Sequence, residues 1–249
     1  QTLDGGTLLL GLIYFSFQIY CDFSGYSDVA IGTSKLFGFE LMSNFKFPYF
    51  SRDIGEFWRR WHISLSTWFR DYLYIPLGGS KRGKWFSIRN IFIIFIVSGF
   101  WHGANWTFIA WGMIHAVFYI PLFLQEKNRK YTTSTVAEDR WLPNLKELFQ
   151  MGVTFLSTMF AWVFFRSDNI SSAFNYLLRV TTEIGIPSSR RSGMIFVILL
   201  VVLDWFIRGN ERNPINFKNK NVRWSVYISF TYFIIAHFKV IDLSQFIYF

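Results

Sequence analysis

The sequence predicts an all-α fold: a polytopic transmembrane helical bundle of short, tilted and re-entrant helices, with one amphipathic helix at the interface. Three observations predict it. Of 249 residues, 52% are hydrophobic and 16% charged, against about 25% charged in an ordinary soluble domain. Thirty-one Phe, 12 Tyr and 11 Trp exceed what one soluble core hides, and lipid is the natural solvent for such a surface. The apolar residues also gather into five zones separated by charged stretches. The whole chain is expected to form one membrane-embedded domain, residues 1–249.

The first apolar zone covers 7–20. Asp22 and Asp28 follow it, expected as buried hydrogen-bond anchors or, less plainly, proton-relay groups. Residues 53–72 read as one amphipathic helix. Ile54, Phe57, Trp58, Trp61, Leu65, Trp68, Phe69 and Tyr72 recur at helical spacing, with Arg59, Arg60, Ser64, Thr67 and Arg70 largely opposite. Asp53 and Glu56 resemble a capping box at its start. The uncharged run 91–124 would measure about 51 Å as one straight helix, against a hydrocarbon core of about 30 Å. It must bend or break, and Ser98-Gly99-Phe100-Trp101-His102-Gly103-Ala104-Asn105 is the expected place. Irregular backbone at membrane depth survives where protein or a water-filled cavity satisfies it, so His102 is expected at a protein-lined break. Residues 125–147 read as a mixed-charge loop, and further apolar zones lie near 151–165, 194–207 and 224–238.

Residues 46–90 carry nine Lys/Arg against three acids, and 208–223 five against one. If 91–124 is a hairpin, both basic segments share one side, and the positive-inside rule makes that side cytoplasmic. A formal charge of +9 on such a chain points to anionic headgroups rather than nucleic acid. Cys21 stands alone, excluding an internal disulfide and any multi-cysteine metal site. No metal set emerges from the four histidines either. Gly78-Gly79-Ser80-Lys81-Arg82-Gly83-Lys84 mimics a phosphate-binding loop. Trp85 occupies the position of the magnesium-binding Ser or Thr, and no buried strand precedes the run, which excludes a nucleotide triphosphatase. Asn105-Trp106-Thr107 matches a glycosylation sequon inside an apolar run and carries no meaning as one. The sequence opens on Gln1 with no basic region before the first apolar run, so no signal peptide is expected and a missing start is.

An ionisable side chain at membrane depth is costly and so a functional hypothesis. For His102 the flanking glycines strengthen it; His115 and His237 read as structural. Several stretches then become recognisable together: Gln18-Ile-Tyr-Cys-Asp-Phe-Ser-Gly-Tyr-Ser-Asp-Val-Ala-Ile-Gly32, Asn44-Phe-Lys-Phe-Pro48, Phe57-Trp-Arg-Arg-Trp-His-Ile-Ser-Leu-Ser66, Arg70-Asp-Tyr-Leu-Tyr-Ile-Pro-Leu-Gly-Gly79, Ser98-Gly-Phe-Trp-His-Gly-Ala-Asn-Trp106 and Trp162-Val-Phe-Phe-Arg166. They fall in one order across 18–166. The chain resembles the membrane-bound O-acyltransferase family, in the branch of alginate O-acetyltransferases and D-alanyl-transfer proteins.

The resemblance implies that His102 is the catalytic histidine and His62 the second active-site polar residue. It implies transfer of an acyl group, acetyl first of all, from a thioester donor to a hydroxyl of an extracytoplasmic polysaccharide such as alginate. The donor is an acyl-CoA or an acyl carrier protein, with no bound cofactor, and the site is a passage through a bacterial inner (plasma) membrane. An extracytoplasmic acetyltransferase partner is expected alongside membrane lipids. Further helices are expected before the Asp-Phe-Ser-Gly-Tyr motif. A histidine suits the chemistry because its pKa lies near working pH. His102 would be the general base, and His62 would orient it or hydrogen-bond the oxyanion. Arg59, Arg60, Arg70, Lys81, Arg82 and Lys84 are candidates for drawing a phosphate-bearing donor, joined by Trp101 and Asn105 beside His102. A proton-linked transporter or flippase and an inactive scaffold fragment are the alternatives.

Overall fold

The computed structural model describes residues 4–183, 185–187, 191–212 and 217–237, all helix and connecting loop with no strand among them. Two compact units divide the chain, 1–209 and 210–249. The first holds α1 (Gly5–Leu36), α2 (Ile54–Arg60), α3 (Ile63–Phe69), α4 (Lys84–His102), α5 (Trp106–Leu124), α6 (Leu145–Arg166), α7 (Ile170–Thr182) and α8 (Met194–Ile207). The second holds α9 (Lys220–His237). Of the described helices, α1, α4, α5 and α6 are long and apolar enough to cross a membrane. The side chain of His237, read from sequence as structural, lies outside the described ones.

Of the four long helices, α1, α5 and α6 start where the sequence supplies a side-chain oxygen to the first free amides, and α4 follows Gly83 with no side-chain cap. Asp4 accepts from the Thr7 N–H at 2.8 Å and from the Thr7 hydroxyl at 2.9 Å. Asn105 accepts from the Thr107 N–H, and Asn144 and Glu147 form a reciprocal capping box at the head of α6. Helix α1 runs 32 residues, well past the apolar zone at 7–20. Asp22 and Asp28 therefore sit within the helix, the first half-buried and the second exposed. Helix α6 begins at Leu145, so the polar loop ends at Asn144.

The 91–124 run breaks where expected. Helices α4 and α5 turn back on each other through Gly103, Ala104 and Asn105, and Gly103 adopts φ +151°. Two glycines set how closely the pair approaches. A Cβ on Gly99 would collide with the Phe108 carbonyl, and one on Gly112 with the Phe95 carbonyl. Only a bare Cα fits at these crossings, the usual device of membrane helices whose association depends on packing.

The stretch 53–72 departs from a single amphipathic helix. It breaks at Trp61–His62 into α2 and α3, and a π turn follows over Arg70–Tyr74. His62 takes the left-handed conformation, φ +43°, which non-glycine residues adopt only when their surroundings hold them there. The holding contacts come from residues 44–46. Asn44 accepts from the Ile63 N–H through its carbonyl at 3.0 Å and from the Ser64 N–H through its side chain at 3.2 Å. The Lys46 N–H donates to the Arg60 carbonyl at 3.0 Å. An extended segment thus takes over hydrogen bonds that a continuous helix would make with itself. Asp53 does cap α2, accepting from the Glu56 N–H at 2.7 Å, but Glu56 does not reciprocate as in a capping box. Its carboxylate turns to the Arg52 N–H at 2.7 Å and to the Arg52 and Arg60 guanidinium groups.

These arginines organise one end of the first unit. Arg52 and Arg60 both donate to the Ser134 carbonyl, and Arg59 donates to the carbonyls of Asn128 and Tyr131. From α8, Arg208 donates to the carbonyls of Val136, Ala137 and Arg140. The 125–144 loop is therefore laced to α2 on one side and to the end of α8 on the other. At the opposite end of the hairpin, the Asn105 side chain donates to the Asp168 carbonyl at 2.8 Å. The basic stretch around 52–60 and Arg208 share an end, as the hairpin topology requires. Helix α7, amphipathic and packed against α1 and α6, was not anticipated from the sequence.

Candidate active site

The site forms where α4 ends and α2 breaks. His102 is the last residue of α4, so its ring projects at the turn rather than along a regular helix face. Four aromatic rings surround it: Trp101 at 4.9 Å, Phe165 at 5.0 Å, Trp111 at 5.2 Å and Phe108 at 6.2 Å between centroids. They come from α4, α5 and α6, so protein lines the break. His102 is half-buried, and its ring has no hydrogen-bond partner among the described residues.

His62 reaches the same place from the α2–α3 break. Its ring lies edge-on to Phe23 of α1 at 4.5 Å and 6.3 Å from Trp101. Trp101 is thus flanked by both histidines, and it is 57% exposed, which leaves the space beside them open. His62 Nδ1 stands 3.5 Å from the Ser64 hydroxyl, a marginal distance for a hydrogen bond. Burial pushes the His62 imidazolium down to about 4, so the ring is neutral near pH 7 and offers one N–H donor and one lone pair. The left-handed backbone aims it: in a continuous helix residue 62 would follow the α2 helical face instead.

The other residues singled out from sequence divide into four groups. Arg59 and Arg60 point at loop carbonyls and Glu56, as described above, with burial pulling the Arg59 guanidinium below its usual value. Arg70 is exposed and pairs with Asp71 at 2.7 Å. Lys81, Arg82 and Lys84 are exposed on the glycine-rich turn before α4, where Gly78, Gly79 and Gly83 all take positive φ. That turn is held from behind by the buried Asn90, whose amide donates to the carbonyls of Leu77 and Gly79. Asn105 caps α5 and ties the turn to Asp168. Of the ten residues, the structure brings together His62, Trp101 and His102, with Asn105 three positions along the same turn. Lys84 and His102 are the first and last residues of α4, a separation of about 27 Å at 1.5 Å per residue.

Phe23, Phe108, Trp111 and Phe165 also build the site, and the sequence reading passed over them. Trp111 sits at helical spacing from Thr107 and His115, the one periodic signal that could have found it. Among the described residues no group of three His, Cys, Asp or Glu is placed to hold a metal ion.

Comparison with known proteins places the chain in a family. Residues 7–144 match the profile of MBOAT, the membrane-bound O-acyltransferase family. Over 174 residues the chain is 46% identical to a probable alginate O-acetylase of Pseudomonas syringae pv. tomato, covering 70% of this chain and 31% of that protein. It is 42% identical over 163 residues to a peptidoglycan O-acetyltransferase of Helicobacter pylori, covering 66% of this chain and 29% of the relative. A teichoic acid D-alanyltransferase of Bacillus subtilis is 35% identical over 144 residues, 55% of this chain and 34% of its own length. The chain spans about a third of the length of the curated relatives it matches.

Proposed function

Because the chain belongs to the membrane-bound O-acyltransferase family, we propose that it transfers an acyl group, acetyl first of all, from a thioester to hydroxyls of an extracytoplasmic polysaccharide such as alginate. The observation that carries the proposal is the meeting of His102 and His62 on either side of an exposed Trp101. The family membership and the names of three relatives, an alginate O-acetylase, a peptidoglycan O-acetyltransferase and a teichoic acid D-alanyltransferase, support it.

An alcohol is a poor nucleophile near neutral pH, so its proton must leave as it attacks. His102 takes that proton on a ring nitrogen while the hydroxyl oxygen bonds to the thioester carbonyl carbon. Such assistance contributes typically 10²–10⁴-fold in rate. The neutral His62 has one N–H to offer the carbonyl oxygen as negative charge develops there. When the tetrahedral intermediate collapses, the carbon–sulfur bond breaks and His102 returns its proton to the leaving thiolate. The aromatic rings packed against His102 lower the local dielectric, which strengthens each electrostatic contact.

The donor in this reading is an acyl-CoA or an acyl-loaded carrier protein. Lys81, Arg82 and Lys84 attract its phosphate from the basic side, taken as cytoplasmic in a bacterial inner membrane. Lys84 stands about 27 Å along α4 from His102, which requires a thioester carried on a long arm through the membrane. An extracytoplasmic acetyltransferase would receive or complete the transfer. The test is acyl transfer by the membrane-embedded protein, with labelled acetyl thioester supplied to one face and polysaccharide to the other. Label in ester linkage to the acceptor is the expected result; flux of the intact donor across proteoliposomes without ester formation would establish the transporter reading instead.

A further inference from the structure

Behind His102, helix α5 buries a polar stripe that acyl transfer as described leaves unused. Thr107, Trp111 and His115 recur every four residues, so they share one face of the helix, and each is at most 1% exposed. Thr107 Oγ1, Trp111 Nε1 and both ring nitrogens of His115 are buried with no hydrogen-bond partner among the described residues, and so is Trp58 Nε1. The His115 ring lies 4.9 Å from that of Trp58 and 5.0 Å from that of Trp111. Trp111 in turn lies 5.2 Å from His102.

Left dry, each of these atoms keeps the full cost of its lost hydration. A phenylalanine at 115 would fill the same aromatic niche, stacked between Phe57 and Phe95, without that cost. Counting groups shows what the stripe lacks. A neutral imidazole brings one donor and one acceptor, the two indoles bring donors only, and the threonine hydroxyl brings one donor and an acceptor oxygen. Donors outnumber acceptors, so whatever satisfies them must bring lone pairs. Water does, and buried waters characteristically serve about three otherwise unsatisfied groups.

We propose that this face of α5 is a built water site with His115 at its hub, and that His115 is a positioning residue for acyl transfer. Its water holds the Trp111 indole, and that indole is one of the four rings against which the His102 ring rests. The positioning role builds on the reading of His102 as the base; the water site does not. Among the described residues His102 has ring contacts and no hydrogen bond to orient it, so a shift of Trp111 changes the seat of its ring.

The experiment compares His115→Phe with His115→Gln in the intact membrane-extracted protein, reading Tm without substrate, then kcat and the donor KM. Glutamine keeps a donor and an acceptor; phenylalanine keeps the ring shape. The proposal expects Phe to have the lower Tm and a kcat at least 10-fold below wild type, with the donor KM within twofold. Gln should retain at least a third of wild-type kcat. The reverse order, with Phe as stable and active as wild type and Gln inferior in both, shows a dry packed ring and overturns the proposal. The expected Tm order with unchanged kcat overturns the positioning role. Should the Phe variant fail to fold, a high-resolution map of the wild-type protein decides: solvent density within hydrogen-bonding reach of His115 supports the site, and its absence overturns it. Neither the Tm order nor the map depends on turnover, so a failure of His102 as base shows separately, as transfer that survives its removal.

Discussion

Replacing Glu56 with alanine should loosen one whole end of the molecule. Glu56 is fully buried, and its carboxylate accepts from the Arg52 N–H at 2.7 Å, from Arg52 Nε at 3.0 Å, from Arg52 Nη2 at 2.9 Å and from Arg60 Nε at 3.1 Å. Arg52 is itself buried, its side chain 6% exposed, and stacks over Tyr131 at 3.8 Å. Hydrogen bonds to charged groups contribute about 1.5–3 kcal/mol each, but they act here as a unit and do not add. The governing figure is the cost of leaving a buried charge without its partner, about 3–5 kcal/mol. At about 2–4 °C per kcal/mol for a chain of this size, Tm should fall by about 6–20 °C. Because Arg52 and Arg60 also hold the Ser134 carbonyl, the 125–144 loop should open at the same time. Trypsin should then cut sooner after Lys127, Arg129 and Lys130, all exposed but held on a pinned backbone. Tryptophan-fluorescence melting in detergent and timed tryptic digestion measure the two effects. A Glu56→Ala protein with Tm within 2 °C of wild type and an equally resistant loop would refute the claim that this ion pair anchors the loop.

Three further outcomes follow from the geometry. Gly99→Ala and Gly112→Ala each drive a methyl into a carbonyl of the facing helix; each should cost about 1–3 kcal/mol and lower folded yield on size exclusion, while Gly152→Ala, with open space around it, should not. Burial holds His62 at about 4, below its ordinary 6.5, so the unfolded chain takes up a proton that the folded one refuses. That contribution to stability is whole above about pH 6.5 and declines as pH falls toward 4; across this window the Tm of His62→Gln should fall less than that of wild type, and equal slopes would show that His62 does not contribute. Neutralising Lys81, Arg82 and Lys84 together should raise the donor KM severalfold and flatten its salt dependence at unchanged kcat, since this turn leads into the end of α4 about 27 Å from His102; an unchanged KM removes them from donor attraction.

Much of the fold was legible because it rests on length and solvation. A 34-residue uncharged run cannot cross a bilayer as one rod, and the glycines at 99 and 103 mark where it turns. Charge counting put the basic segments 46–90 and 208–223 on one side, and Arg52, Arg59 and Arg60 from the first and Arg208 from the second do hold carbonyls of the same loop, between 128 and 140. The end of α1 was not legible, since the apolar zone stops at 20 with Asp22 and Asp28 beyond it, yet the helix continues to Leu36. The break at His62 was hidden for a related reason. Helical spacing persists across it, and what ends α2 is a set of hydrogen bonds from residues 44–46 that no local pattern announces. At the site, His62 and His102 were found through motif and glycine context. Their meeting around Trp101, and the ring wall from α5 and α6, depend on tertiary packing alone. Arg59 and Arg60 show the limit of reading charge as ligand attraction: on the sequence they are a basic pair, and in the fold their donors go to loop carbonyls and Glu56.

The central claim is that an imidazole at the α4–α5 turn removes the acceptor's proton during ester formation. Turnover of labelled acyl thioester by His102→Ala and His102→Gln proteins, each with wild-type Tm and donor binding, tests it most directly. The account predicts a loss of at least 100-fold in kcat for both, in the range typical of a missing general base, with donor binding within twofold of wild type. Folded His102→Ala protein that makes ester at the wild-type rate would contradict it.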